Sequence, residues 1–289
     1  MFVSRGSGVV VTPTRRRSDG GPSARALLIS VLGQWVGPSE TTVWTSTLVS
    51  ALETLGIEER AARQAVNRTA SDGWLIGESV GRYTRWRLSE SGQRLLGTAW
   101  SRLQRSFDVD HPWDGQFLLL ALTGTPPDRQ LRDRLATGLD FEGFGVLGPG
   151  LWIAADDSAR TGADAILEAC DLDGQALMFR ASTVEGAETP AEVVALAWDL
   201  ETAAIAHRAF LEEFEDAVPK DDRDAFALRT RLAHEWRHLL SVDPALPAEL
   251  LPEDWAGTRA RGVFHDCFGA WKKSATSYYT TMADEPAVS

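Results

Sequence analysis

Arg60, Arg63, Gln64, Asn67, Arg68 and Ser71 recur at three- and four-residue steps within residues 55–75, LGIEERAARQAVNRTASDGWL. On a helix these steps gather them on one face. Arg, Gln and Asn carry forked polar groups that match the base edges of a DNA major groove. The other face, Ala62, Ala65, Val66, Thr69 and Ala70, is small enough for close packing. From Arg60 to Ser71 there is no carboxylate and no Lys, whereas an ordinary solvated face would mix Glu and Lys with Arg. The chemistry indicated is the reading of duplex DNA by a helix over about 58–72, stopped by Gly73.

Three further elements would have to position that helix. Ser23 opens a helix over 24–36 with Leu27, Leu28, Val31, Leu32 and Trp35 on one side, broken by Gly37-Pro38-Ser39. A second helix over 44–55 turns Leu48, Val49 and Leu52 inward, and Gly56 makes the turn into the third. Trp74-Leu75-Ile76 and Arg85-Trp86-Arg87-Leu88 then form a hairpin through Val80-Gly81-Arg82. Helix, helix, turn, helix and hairpin is the order of a winged helix-turn-helix. It occupies residues 23–110 with a linker helix to about 107. Arg82 and Arg85 near the hairpin tip would meet phosphate or the minor groove, while Trp74, Trp86 and Leu88 form the core beneath it. Residues 1–22 read as a disordered arm whose Arg15-Arg16-Arg17 is an untethered basic run.

Charge separates this front from the rest. The chain has 289 residues and a net charge of −12, yet residues 1–105 hold 14 Arg, no Lys and 8 acids, a net +6. The remaining 15 bases and 33 acids leave a net −18. A basic front on an acidic body is the expected footprint of a DNA-binding domain joined to a body that does not bind DNA. No apolar run approaches the roughly 20 residues of a membrane span. Cys170 and Cys267 stand far apart with no zinc or disulfide spacing, which fits a reducing cytoplasm.

Residues 111–186 follow the order β-α-β-β-α-β, with strands at 116–122, 142–147, 151–155 and 176–184 and helices at 128–136 and 162–169. This is a ferredoxin-like order, and the fold class as a whole is α+β. Its first strand ends Ala121-Leu122-Thr123-Gly124, with no carboxylate, and the domain reads as a spacer or dimerisation module. Residues 187–282 are helical: one long helix from 190 to 216, a second over 223–240, a Pro-rich turn over 243–255 and a third helix over 258–279. A short polar tail occupies 283–289.

His234-Glu235-Trp236-Arg237-His238 matches H-E-x-x-H on a predicted helix, the pattern in which two His bind zinc and Glu activates water. No further ligand stands in a recognisable context, and a zinc-dependent hydrolase using His234, Glu235 and His238 is the runner-up only. No cofactor, metal site or catalytic residue is expected.

The stretches SARALLISVLG, VWTSTLVSAL, LGIEERAARQAVNRTASDGWL and GRYTRWRLSESGQRLL resemble the amino-terminal domain of PaaX-type transcriptional repressors of phenylacetate catabolism. WDGQFLLLAL is similar to the opening of that family's middle domain, itself shaped like a small CRISPR-associated nuclease. RLAHEWRHLLSVDPALPAELLPEDWAG resembles its carboxy-terminal signature. The resemblance implies a homodimeric, cytoplasmic repressor on double-stranded operator DNA, not an enzyme. It also implies release by an aryl-acyl-CoA, typically phenylacetyl-CoA; a same-family regulator sensing a different acyl-CoA is the nearer alternative. Arg231, His234, Trp236 and Arg237 then become candidates for the effector site, cations for phosphates beside an apolar slot. Structurally, Arg237, Glu235 and Asp243 could instead staple the turn after the helix.

Overall fold

A computed structural model describes residues 21–37, 42–94, 96–97, 112–124 and 128–283. The amino-terminal arm with Arg15-Arg16-Arg17, the linker helix beyond residue 97 and the tail from residue 284 lie outside the described residues. The chain is α+β, with helices around small antiparallel sheets. It divides into two compact units. One, here the amino-terminal unit, draws on the described parts of Pro13–Phe107, Arg208–Leu239 and Thr258–Ser289; the other, the central unit, on those of Asp108–His207 and Leu240–Gly257.

In the amino-terminal unit, α1 (Ala24–Val31) starts at Ser23, whose side chain accepts from the Ala26 N–H. It continues into a π-helical turn, Leu32–Val36. After β1 (Val43–Trp44), α2 (Thr45–Thr54) and α3 (Glu59–Ser71) are joined through Gly56 at φ +79°. The exit of α3 is closed twice: the Gly73 N–H donates to Ala70 O (2.9 Å) and the Trp74 N–H to Thr69 O (3.1 Å). That pair of bonds needs a left-handed residue at position 73, and Gly73 supplies it at φ +78°. β2 (Leu75–Val80) and β3 (Tyr83–Leu88) pair in register Val80↔Tyr83 to Leu75↔Leu88, with β1 added on the far side of β3. Trp86 lies flat over Gly77, where any Cβ would come within 2.7 Å of the ring, and its Nε1 donates to Thr45 Oγ1 at 2.8 Å.

The core of this unit does not end with these elements. Leu27, Leu28, Leu48, Leu52, Ala62 and Val66 form one buried cluster with Phe226 of α8 (Asp222–Leu239) and Ala275 of α10 (Lys272–Ala283). α9 (Ala256–Ala270) precedes α10. Phe226 is fully buried, and Trp35 packs 5.3 Å from its ring and 5.1 Å from Tyr279.

The central unit holds a four-stranded antiparallel sheet in the order β5-β6-β4-β7: β4 is Phe117–Leu122, β5 Gly145–Gly148, β6 Leu151–Ala154 and β7 Ala176–Ala181. α4 (Arg129–Phe141) and α5 (Arg160–Ala169) bring Leu135, Leu139 and Leu167 onto one face, against Leu118, Leu120 and Trp152. α6 (Pro190–Ala197) supplies Val194 to the other face, where Phe117 and Ile153 meet Leu246 and Leu250.

Three expected elements differ, one of them the helix over 258–279, which is two, α9 and α10, parted by a turn at Trp271. α4 runs to Phe141, past the expected stop at 136, because Gly138 is a packing position: a Cβ there would come within 2.8 Å of Ile166. The following strand consequently starts at Gly145 rather than 142. The single long helix expected over 190–216 is two, α6 and α7 (Leu200–Phe214), because Trp198 is extended and Asp199 recaps. The Asp199 carboxylate accepts from Thr202 N and Oγ1 at 3.0 and 2.7 Å, which holds its pKa below the ordinary Asp value.

Candidate nucleic-acid interface

Arg60, Arg63, Gln64, Asn67, Arg68 and Ser71 are all exposed on α3, while Ala62, Ala65, Val66 and Thr69 are buried against the unit. The division follows from helix periodicity alone. Arg63 is held by Glu59 one turn earlier, at 2.8 Å, so its guanidinium lies along the helix surface. At the other end, Arg25 of α1 pairs with Asp72 at 2.6 Å and lies over the Trp74 ring at 5.3 Å, tying the end of α3 to the start of α1.

On the hairpin, Arg82 is exposed in the turn, 5.0 Å from the Tyr83 ring. Arg85 is engaged differently. Cross-strand pairing sets it opposite Glu78, and its Nε and Nη2 donate to the two carboxylate oxygens at 2.9 and 3.0 Å. The pair lowers the Glu78 pKa and raises that of Arg85. The same β2–β3 register places exposed Arg87 on the same face as Arg85; period-two alternation along β3 was the signal for it.

The residues expected to meet an effector are distributed over α8. Arg231 is exposed and paired with Glu213. Trp236 is 2% exposed, stacked on Phe264 at 4.7 Å and edge-on to Phe210 at 5.4 Å, as a core side chain would be. His234 is buried, with Nδ1 3.2 Å from Ser30 Oγ and 3.4 Å from Arg237 Nη2. Arg237 is partly buried and also donates to Ala26 O at 3.4 Å. His234 and Arg237 thus meet beside α1, Trp236 packs among aromatic rings and Arg231 pairs at the surface. Arg237 does not staple Asp243, which accepts instead from buried His207, Nε2 to Oδ2, at 2.7 Å within the central unit. Among the described residues no three His, Cys, Asp or Glu side chains are grouped as a metal site requires.

Three family models cover the chain in succession. Residues 23–92 match the PaaX-like protein, 110–194 the PaaX protein central Cas2-like domain and 198–281 the PaaX-like protein C-terminal domain. The chain belongs to the PaaX-like family. It is 29% identical over 275 residues to the transcriptional repressor PaaX of Escherichia coli (strain K12), covering 91% of this chain and 84% of that one. Among solved structures it resembles the uncharacterized protein Rv0674 from Mycobacterium tuberculosis, 27% identical, with a TM-score of 0.62 over 90% of this chain and 98% of that one. The PaaX-like family is regulatory, not enzymatic. Among the described residues no helix is long and apolar enough to cross a membrane.

This PaaX-like chain keeps its His234 neutral. Burial, reinforced by the Arg237 and His238 charges, lowers the His234 pKa to about 3. The unfolded chain, with an ordinary His, takes up a proton as pH falls through the mid-sixes while the folded chain does not, so stability falls with pH across that window. We predict that folding stability drops by about 2 kcal/mol from this one group between pH 7 and 5. His234→Gln should flatten that slope. Chemical denaturation at pH 7, 6 and 5 measures it; an unchanged slope in the variant would place the titration elsewhere.

Proposed function

We propose that this protein is a cytoplasmic, DNA-binding transcriptional repressor of aromatic-compound catabolism of the phenylacetate type, released from its operator by an aryl-acyl-CoA such as phenylacetyl-CoA. The observation that carries the DNA reading is the exposed α3 stripe, whose side chains have the donor geometry for base edges and whose packing side is fully buried. α1, α2 and α3 with the β2–β3 hairpin act as a winged helix-turn-helix: Arg60, Arg63, Gln64, Asn67 and Arg68 face the major groove, and Arg82 with Arg85 contacts backbone or minor groove. The bidentate bond to Glu78 fixes the Arg85 side chain on the hairpin face. Arg63→Ala and Asn67→Ala should each weaken operator binding by about 1–3 kcal/mol and binding to random duplex much less. Arg82→Ala should weaken both targets more evenly. Equal losses on both duplexes for all three variants, by fluorescence anisotropy, would sink the assignment of base reading to α3.

The central unit serves as a ferredoxin-like dimerisation module in this reading, since a symmetric operator needs two reading helices. Its support is β7, an edge strand that among the described strands pairs only with β4. Leu177 and Phe179 on β7 are 51% and 52% exposed, with no Lys or Pro in the strand to discourage pairing. Phe179→Asp should therefore sediment as a monomer with unchanged circular dichroism; a dimer of wild-type affinity would move the contact elsewhere.

For the effector, Arg231 is an accessible cation on α8, with His234, Trp236 and Arg237 along the same helix toward α1 and the helical core. Release is a population shift, in which the thioester must bind the arrangement unfit for DNA more tightly than the fit one. Phenylacetyl-CoA should dissociate the operator complex where free CoA and phenylacetate do not, and Arg231→Ala should weaken the response while leaving operator affinity intact. A wild-type response in Arg231→Ala moves the ligand off this helix, and release only by another acyl-CoA in a thioester panel would identify a regulator of the same family with a different effector.

A further inference from the structure

α8 and α1 are joined by a seam of polar contacts that runs antiparallel through the amino-terminal unit. Arg237 Nη2 donates to Ala26 O at 3.4 Å, His234 Nδ1 lies 3.2 Å from Ser30 Oγ, and Arg229 Nη1 donates to Gln34 Oε1 at 3.0 Å. Along α1 and the π turn that continues it, the partners Ala26, Ser30 and Gln34 are spaced four apart. A regular helix of 3.6 residues per turn drifts away from such a line, and the wider π turn, closed by the Gly37 N–H on Leu32 O, brings Gln34 back toward it. The same turn carries Trp35 onto Phe226 and Tyr279.

Arg229 is the unusual member. It is 6% exposed, its Nε donates to Phe268 O at 3.1 Å, and its guanidinium lies 3.7 Å from the Phe268 ring centroid and 5.2 Å from that of Trp35. Its neighbours are a carbonyl, an amide oxygen and two aromatic rings rather than a carboxylate. Burying a guanidinium this way is expensive, and an apolar side chain would fill the space at lower cost if packing were the whole requirement. What the cation adds is direction: Nη1 reaches the π turn and Nε the α9 backbone.

α1 lies between this seam and α3. It packs on α3, and Arg25 at its start pairs with Asp72 at the α3 exit. We propose that Arg229 is a positioning residue for DNA reading: by holding Gln34 it selects the π turn at Leu32–Val36 over a regular helical continuation, and so sets the register in which α1 presents α3. The π turn is then a two-state element through which events on α8 reach the reading helix. The proposal rests on the assignment of α3 to DNA, but the local half of it does not.

The test uses the full-length chain. Arg229→Met keeps an unbranched stem between Phe268 and Trp35 and removes both donors; Gln34→Leu removes the acceptor, together with the longer bond from Gln34 Nε2 to Ser30 O (3.4 Å). In each, hydrogen exchange at the amides of Leu32–Val36 should quicken, and affinity for a duplex selected by the wild-type chain from a random library should fall, each by roughly tenfold, the worth of one charge-assisted bond. Thermal stability should change little in Arg229→Met, because an unneutralised buried charge is removed along with its bonds. The double variant should be no worse than either single one, the signature of a shared contact. Wild-type exchange across Leu32–Val36 in the folded variants, or strictly additive losses, overturns the proposal. If Arg229→Met does not fold, Gln34→Leu carries both measurements. Should the wild-type chain select no duplex, the DNA assignment fails, while the exchange result still decides whether Arg229 holds the turn.

Discussion

Nothing larger than valine separates α3 from the helices beneath it. Ala62, Ala65, Val66 and Thr69 are buried at or near zero exposure, and the Thr69 hydroxyl is turned back on Ala65 O at 2.8 Å, so even its polar atom is spent inside the helix. Close-packed interiors transmit added volume as displacement. A larger side chain at any of these positions would lever the helix outward and carry the exposed arginines with it. The remaining features of the amino-terminal unit follow from that tight seat: the double-bonded exit at Gly73, the Arg25–Asp72 pair, and the Ser89 hydroxyl that donates to Gly73 O at 2.6 Å. Each pins the end of a helix whose middle grips by shape alone.

How much of this was legible in the sequence depended on how far apart the partners stand. The ends of α3 and its two faces could be read from periodicity and one glycine, since both are local. The hairpin was legible too, but the Glu78–Arg85 pair was not, because it needs the strand register as well as the strands. The helix expected to stop at 136 runs on through Gly138, a contact surface for Ile166, and that tertiary role is not visible in an isolated window. Trp198 interrupts an apolar pattern that continues unbroken on both sides of it. The largest omission was α8: the sequence located a helix over 223–240, not that Phe226 enters the same core as Leu28 and Leu52. Asp243 was assigned to the nearest cation in sequence and belongs to His207.

That shared core changes what regulation requires. A helix far along the chain lies within the fold that holds α3, so a ligand bound on α8, as proposed, would have no gap to signal across. The costs already present there, a neutral buried His234 and a buried Arg229 whose pKa burial lowers to about 10, make the contact between α1 and α8 sensitive to small changes in its surroundings. A unit bonded only through apolar packing would be more stable and less responsive.

That every cation on the exposed face of α3 and on the hairpin is an arginine has a chemical corollary. The first lysine in the sequence is Lys220, and Lys272 and Lys273 are the others, so neither α3 nor the hairpin offers a primary ammonium side chain. Thioesters transfer acyl groups to unprotonated amines, and lysine releases its proton far more readily than a guanidinium, which stays charged in proteins. A regulator whose effector is an activated acyl donor would otherwise risk being modified by it, with loss of positive charge where phosphate must be met. Arginine supplies the charge without the nucleophile, so under the proposed function a thioester effector would find no amine to acylate on the side chains assigned to DNA.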